Sequence, residues 1–169
     1  MKLTFRKLAR KYFQEIHDLA LEGWLFAYKH ISKKDLKKLV DQYYSSAALE
    51  NCLKKTRAGK NAFILSFENQ KLIGFCHVAK KGNQGELCKL YIELNRIKKG
   101  IGSKLLSKGE QFLKKKSVKK YFTFVNKHNK IGIKFYLQKG FNRVLKKDKD
   151  DEFEPKALLY MEKRLMQKN

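Results

Sequence analysis

Apolar residues recur along this chain in two rhythms, one helical and one alternating. The opening "KLTFRKL" alternates and predicts a first strand, whereas from about Ala9 to Arg57 the spacing turns helical, with Phe13, Ile16, Leu19 and Ala20 on one stripe. Within that region "SKKDLKKLVDQYY" predicts a separate helix, with Ser32 as its N-cap. The runs "AFILSF" and "KLIGFCHVA" flank the polar turn "ENQK" and predict a hairpin of buried strands. "KGNQG" then turns the chain into a further strand, "ELCKLYI". In "SKLLSKGEQFLKKK" and the two residues before it, Ile101, Leu105, Phe112 and Leu113 form an apolar stripe, and three lysines stand where a helix C-terminus favours cations. "KYFTFV" reads as a strand, "NKIGIKFYLQKG" as a short helix stopped by Gly140, and "FNRVLK" and "ALLYMEKRL" as the last two strands. The order predicts a mixed α/β sheet with helices on its faces.

The 169 residues fit one domain spanning 1–169, since Pro155 is the only proline and there is neither a Gly/Ser-rich linker nor a repeat. A hydrophobic content of 43% argues against disorder. With 40 Lys plus Arg against 16 Asp plus Glu, the formal charge is +24, which attracts nucleic acid, anionic membrane and phosphorylated small molecules alike. Cys52, Cys76 and Cys88 lack any C-x-x-C spacing, and His17, His30, His77 and His128 lack H-E-x-x-H spacing, so no disulfide framework and no metal site is expected. No apolar run is long enough to span a membrane and the N-terminus is charged throughout, which predicts a cytoplasmic location.

The chemistry concentrates in "RIKKGIGSKLL". Gly100 and Gly102, between a predicted strand and a predicted helix, let the backbone approach a ligand and aim helix N-terminal N–H groups at an anion, for which phosphate is the natural guest. The frame is neither a P-loop nor the dinucleotide G-x-G-x-x-G, whose last position is filled by Leu105. Lys98, Lys99 and Lys104 either meet phosphate oxygens or form a solvated face. Further on, Asn129 and Tyr136 lie seven residues apart, two helical turns, and hence on one face.

With these residues in view, the chain resembles the GNAT superfamily of N-acetyltransferases. The cofactor loop of that family reads Q/R-x-x-G-x-G/A, and a later helix reads N-x-x-A-x-x-F-Y followed by x-x-x-G-F. Asn129, Phe135, Tyr136, Gly140 and Phe141 match the second pattern, with Gly132 in place of the alanine. Leu90, Tyr91, Ile92, Gly100 and Gly102 match the strand-loop-helix signature, while Ile97 stands at the Q/R position with Arg96 one residue earlier. The resemblance spans Ala62 to Phe141, and "WLFAYKHIS" resembles bacterial and archaeal members that include polyamine acetyltransferases.

The resemblance implies a mostly antiparallel mixed sheet of six to seven strands, splayed between strands 4 and 5, with helices on both faces. It implies acetyl-CoA as co-substrate, its pantetheine arm beside Leu90, Tyr91 and Ile92, and its pyrophosphate on the loop formed by Ile97, Lys98, Lys99, Gly100, Ile101, Gly102 and Ser103. Asn129 is then expected to bond the pantetheine amide, although the residue equally suits a helix N-cap. Backbone N–H groups near Tyr91 or Ile92 would hold the oxyanion. Tyr136 would protonate the leaving thiolate, and Glu86 would take the amine proton directly or through a water. Cys88, with no adjacent histidine, is expected to be a structural thiol.

The acceptor expected is a small-molecule or peptide amine, bound by a monomer or homodimer. The acidic run "DKDDEFE", with Asp148, Asp150, Asp151, Glu152 and Glu154, is expected to border the acceptor mouth and either draw a cationic amine or form a solvated turn. Trp24 and Tyr28 would line the same mouth. The rival reading is a non-catalytic or nucleic-acid-associated basic module, with the aromatics of "KKYFTFVNKHNK" as stacking surfaces, but their alternation assigns them to a core.

Overall fold

The ladder that organises this protein runs β1-β2-β3-β4-β5-β7-β6, antiparallel everywhere except between β4 and β5. The computed structural model describes residues 3–165, so Met1, Lys2 and 166–169, including the start of the predicted first strand and both ends of the predicted domain, lie outside the described residues. The strands are β1 (Leu3–Lys7), β2 (Asn61–Glu68), β3 (Lys71–Lys81), β4 (Gln84–Ile92), β5 (Lys120–Asn126), β6 (Asn142–Arg143) and β7 (Leu158–Arg164). The helices are α1 (Phe13–Ala27), α2 (Lys33–Tyr43), α3 (Ser46–Arg57), α4 (Ile101–Lys115) and α5 (Lys130–Gln138).

Local chemistry accounts for the boundaries. Ser32 caps α2 as expected, its Oγ accepting the Asp35 N–H at 3.1 Å, and Ser45 does the same for α3 with Ala48. The β2–β3 turn is made by Asn69 and Gln70, both at positive φ (47° and 66°), the twist that a two-residue hairpin requires. The predicted strand "FNRVLK" shrinks to Asn142–Arg143, because Leu145–Lys147 coil into a 3-10 turn. Asp148 is the physical reason: its carboxylate accepts the Tyr160 N–H at 2.8 Å and the Arg143 guanidinium at 2.6 Å, so a side chain takes the bond on β7 that a continuing strand would have used.

The sheet separates two cores. On one face α4 and α5 bury Val78, Leu87, Ile101, Leu105, Leu113 and Tyr121, and on the other α1 to α3 bury Ile16, Val40, Leu49, Phe63, Phe67 and Phe75. Tyr121 of the basic-aromatic stretch is fully buried, which removes it from any stacking surface.

Two irregularities position the site. The parallel β4–β5 ladder holds only at Gly85↔Tyr121 and Glu86↔Phe122, after which the strands part. The β3–β4 register also shifts, from Val78↔Leu87 to His77↔Lys89, which leaves Cys88 as the extra residue of a β-bulge. Alternation is therefore reset at that point. Leu87, Leu90 and Ile92 pack on the α4 face, whereas Tyr91 packs on the α1 face.

The paired end of β4 tolerates no side chain at Gly85, where an added Cβ would sit 2.8 Å from Leu113 Cδ2 and 2.9 Å from Tyr121 Cβ. Gly85→Ala should lower stability by about 1–3 kcal/mol through overpacking between α4 and β5, read as a reduced denaturation midpoint with an unchanged denaturant slope.

Candidate active site

Where β4 and β5 part, one side chain continues what the backbone no longer does: the buried Thr123 hydroxyl donates to the Leu87 carbonyl at 2.9 Å. Beyond it the β4 edge facing β5 has no backbone partner. On the β3 side the Glu93 N–H donates to Ile73 O at 2.9 Å. The alternation of an antiparallel ladder then points the Tyr91 and Lys89 N–H groups at β3 and leaves those of Leu90 and Ile92 facing the opening. Sequence reasoning named the strand but could not divide its donors.

On the α1 side of this opening lies a cavity of about 300 Å³. Its aromatic wall is made by Trp24 and Tyr28 from α1 and its C-terminus, Tyr43 and Tyr44 at the end of α2, and Tyr91 from β4. Trp24 Nε1 donates to Tyr91 Oη at 2.5 Å, and the Trp24 and Tyr28 rings lie 5.3 Å apart, so the wall is a connected unit. Burial raises the proton affinity of the Tyr28, Tyr44 and Tyr91 hydroxyls, which keeps them neutral. The predicted residues Trp24 and Tyr28 thus line the cavity together, and Tyr43, Tyr44 and Lys89 join them unpredicted. Tyr43 and Tyr44 carried no signal beyond their place at a helix end.

The opposite wall comes from the acidic loop, which divides into two kinds of carboxylate. Asp148 and Asp150 hold the loop, the second by accepting the Lys156 N–H at 2.7 Å, and Glu154 binds Lys127 and, at 2.7 Å, His128. Asp151 and Glu152 line the cavity. Asp151 is fixed there, its Oδ1 accepting the Phe153 and Glu154 N–H groups at 2.8 and 2.7 Å and its Oδ2 accepting Asn126 Nδ2 at 2.7 Å.

Tyr136 approaches Thr123 from α5 on the other face, outside the residues lining the cavity, is buried to 8% exposure, and burial pushes its hydroxyl above the usual phenol range. Asn129 is the N-cap of α5, its Oδ1 accepting the Gly132 N–H at 2.9 Å, so the residue expected to bond a ligand amide also serves the helix. Glu86 lies at the paired end of β4, 3.6 Å from Lys81 Nζ and outside the residues lining the cavity. Cys88 does line it, but burial pushes its thiol up to about 12, which leaves no thiolate at neutral pH.

The loop from Ile97 to Ser103 carries Lys98 at φ 65° and Gly100 at φ 79°, and α4 begins at Gly100 with no side-chain cap. The first-turn N–H groups of Ile101, Gly102 and Ser103 therefore have no side-chain acceptor. The two glycines differ in purpose: Gly100 takes the left-handed backbone, while the missing side chain of Gly102 leaves room for Phe135, 3.4 Å from where a Cβ would stand. Arg96 takes no part in the loop's exposed face. Its guanidinium binds Glu68 and lies 3.8 Å from Glu93, fastening the loop to the β2–β3 hairpin. Among the described residues no group of three or more His, Cys, Asp and Glu side chains converges as a metal site would need, and no helix is long and apolar enough to cross a membrane.

A model of the acetyltransferase (GNAT) family matches residues 13–141. A spermidine N(1)-acetyltransferase of Thermoplasma acidophilum is 29% identical over 143 residues, which is 83% of this chain and 89% of that protein. The crystal structure of a PaiA N-acetyltransferase from Thermoplasma acidophilum, in complex with coenzyme A, superposes with a TM-score of 0.88 at 28% identity, covering 98% of this chain and 100% of that one. A GNAT-family acetyltransferase of Staphylococcus aureus Mu50 shares the fold, with a TM-score of 0.77 at 19% identity over 98% of this chain and 100% of that one.

The hydrogen bonds at Asp151 set an expectation for the acidic wall. In Asp151→Ala the Phe153 and Glu154 amides lose their acceptor, so their hydrogen exchange should accelerate at least tenfold, the equivalent of about 1.4 kcal/mol, while exchange in β2 and β3 stays as in the parent.

Proposed function

The chain belongs to the acetyltransferase (GNAT) family, and we propose that it transfers the acetyl group of acetyl-CoA to a primary amine of a small polycation such as spermidine, by direct attack of the amine on the thioester. The observation that carries this reading is the meeting of an aromatic cavity and two carboxylates at the unpaired edge of β4. Aromatic faces attract ammonium groups, and Asp151 and Glu152 complement the charge of a polyamine against the +24 of the whole chain. The relative named spermidine N(1)-acetyltransferase supports this class of acceptor, and the coenzyme A complex of the PaiA enzyme supports the donor.

In this reading the coenzyme binds on the α4 side. Its pyrophosphate rests on the uncapped amides of the loop from Ile97 to Ser103, where the left-handed Gly100 turns the backbone towards it. Its pantetheine arm runs along Leu90, Tyr91 and Ile92 and takes the place of β5, using the free N–H of Ile92 and leaving that of Leu90 for the thioester oxygen. Asn129 contributes through Nδ2, whose two protons are free while Oδ1 already accepts the Gly132 N–H.

The acceptor enters from the aromatic side, anchored by Trp24 and Tyr28. Its neutral nitrogen forms a bond to the thioester carbonyl carbon, the free Leu90 N–H of the β4 edge holds the oxyanion, and the C–S bond breaks. Tyr136 gives its proton to the departing thiolate; burial keeps the phenol protonated at neutral pH, while the same upward shift makes it a weaker acid than a free phenol. The proton of the amine leaves through water, with Glu86, outside the cavity and beside Lys81, as its terminal acceptor.

Thiol release from acetyl-CoA, measured across polyamines, amino acids, aminoglycosides and peptides, should be fastest with polyamines; a preference for amino acids would remove the acceptor assignment. Tyr136→Phe should lower kcat by 10²–10⁴-fold while coenzyme affinity by calorimetry stays within about threefold, a change below ~0.7 kcal/mol. Glu152→Gln should raise the KM for spermidine about three- to tenfold, a rim charge effect of ~1 kcal/mol, with kcat little changed.

A further inference from the structure

The cavity assigned to the acceptor already contains a cation. The reset of alternation at Cys88 turns Lys89 into it, with Nζ 3.6 Å from the centroid of the Tyr44 ring and donating to the Tyr43 carbonyl at 3.1 Å. Lys89 is the one cationic side chain among the described residues that line the cavity. Glu86, the carboxylate on the same strand, is turned towards Lys81 instead.

The groups around Lys89 leave its charge unopposed on the inner wall. Cys52 of α3 and Cys88 beside it are thiols whose proton affinity burial raises, and both are neutral. His77, its ladder partner on β3, is pushed by burial down to about 3 and is neutral as well. Tyr44 from α2 and Tyr91 are held as phenols, while Lys55 of α3 and Lys81 of β3 add distant positive charge. The anions, Asp151 and Glu152, stand on the other wall. The cavity is therefore polarised, positive where β4 parts from β5 and negative at the acidic loop.

We propose that Lys89 weakens the basicity of the reacting amine and so enlarges its neutral fraction: its ammonium, fixed between Tyr43 and Tyr44, disfavours a second ammonium beside β4, while the distal ammonium of the same polyamine is held at Asp151 and Glu152. This rests on the acceptor assignment above and adds to it an electrostatic cause of deprotonation. The sign follows from charge alone, since a nearby like charge lowers the proton affinity of an amine. Burial also lowers the proton affinity of Lys89 itself, and the Tyr44 ring and the Tyr43 carbonyl oppose that loss. Once the pH is high enough to discharge Lys89 the effect ends. The distinction between the two nitrogens of one acceptor follows from the same polarity, without any contact to the carbon chain between them.

The test compares Lys89→Met and Lys89→Arg with the parent, measuring kcat/KM against pH for spermidine and for a weakly basic arylamine that is neutral throughout. In Lys89→Met the acid limb of the spermidine profile should move up by about one pH unit, the shift a neighbouring like charge produces. At neutral pH its kcat/KM for spermidine should fall about tenfold relative to that for the arylamine, and Lys89→Arg should restore both. An unmoved limb, or parallel losses with the two acceptors, would overturn the proposal while leaving polyamine acetylation by the parent intact. If the parent acetylates neither acceptor, the acceptor assignment falls. Calorimetry in two buffers of different ionisation enthalpy then decides Lys89 on its own: proton release on spermidine binding should be larger for the parent than for Lys89→Met, and equal release or no binding overturns it.

Discussion

The hydrogen bond from Thr123 to the Leu87 carbonyl marks the point on which the site depends, because there the sheet stops being a sheet. Below it β4 and β5 share a ladder at two residue pairs, and above it the edge of β4 is left with donors that no strand satisfies. Unpaired amides inside a fold are costly unless something else takes them. In the function proposed above the missing partner is a ligand with its own amides and carbonyls, so the defect in the ladder and the proposed binding site are one feature.

Each face of the sheet then takes a separate task. The α4 side offers an uncapped helix start and a loop turned by Gly100, suited to anionic groups. The α1 side offers aromatic rings and carboxylates, suited to cationic ones. Arg96 serves neither directly, yet by binding Glu68 and approaching Glu93 it ties the anion-facing loop to the β2–β3 hairpin, which makes the loop part of the scaffold. A chain with a charge of +24 thus draws anions everywhere and cations only where Asp151 and Glu152 stand.

Much of this was legible in the sequence. Periodicity and turn residues gave the helices, the hairpin and the Ser32 cap, and the resemblance carried by Asn129, Phe135, Tyr136, Gly140 and Phe141 gave the fold family. What stayed hidden depends on tertiary partners. "FNRVLK" alternates as a strand should, but Asp148, five residues beyond Arg143, diverts it by bonding to β7. Asn129 has the chemistry of a ligand donor and of a cap, and only the position of the Gly132 amide decides which its oxygen serves. Glu86 and Lys89 exchange prominence for a related reason: nothing in "ELCKLYI" announces a bulge, and without it the strand's outward and inward residues are misassigned. The acidic run, read as one patch, is two, since Asp148, Asp150 and Glu154 are taken up by Tyr160, Lys156 and Lys127, and only Asp151 and Glu152 line the cavity.

The bulge has a thermodynamic corollary. Because an extra residue bends and twists the strand that carries it, the opening beside β4 is written into the length of the covalent chain, not induced by whatever enters it. Its strand-borne walls are already ordered when a ligand arrives, so association need not spend free energy immobilising them. Preorganisation of that kind shows up as slow dissociation more than as fast arrival.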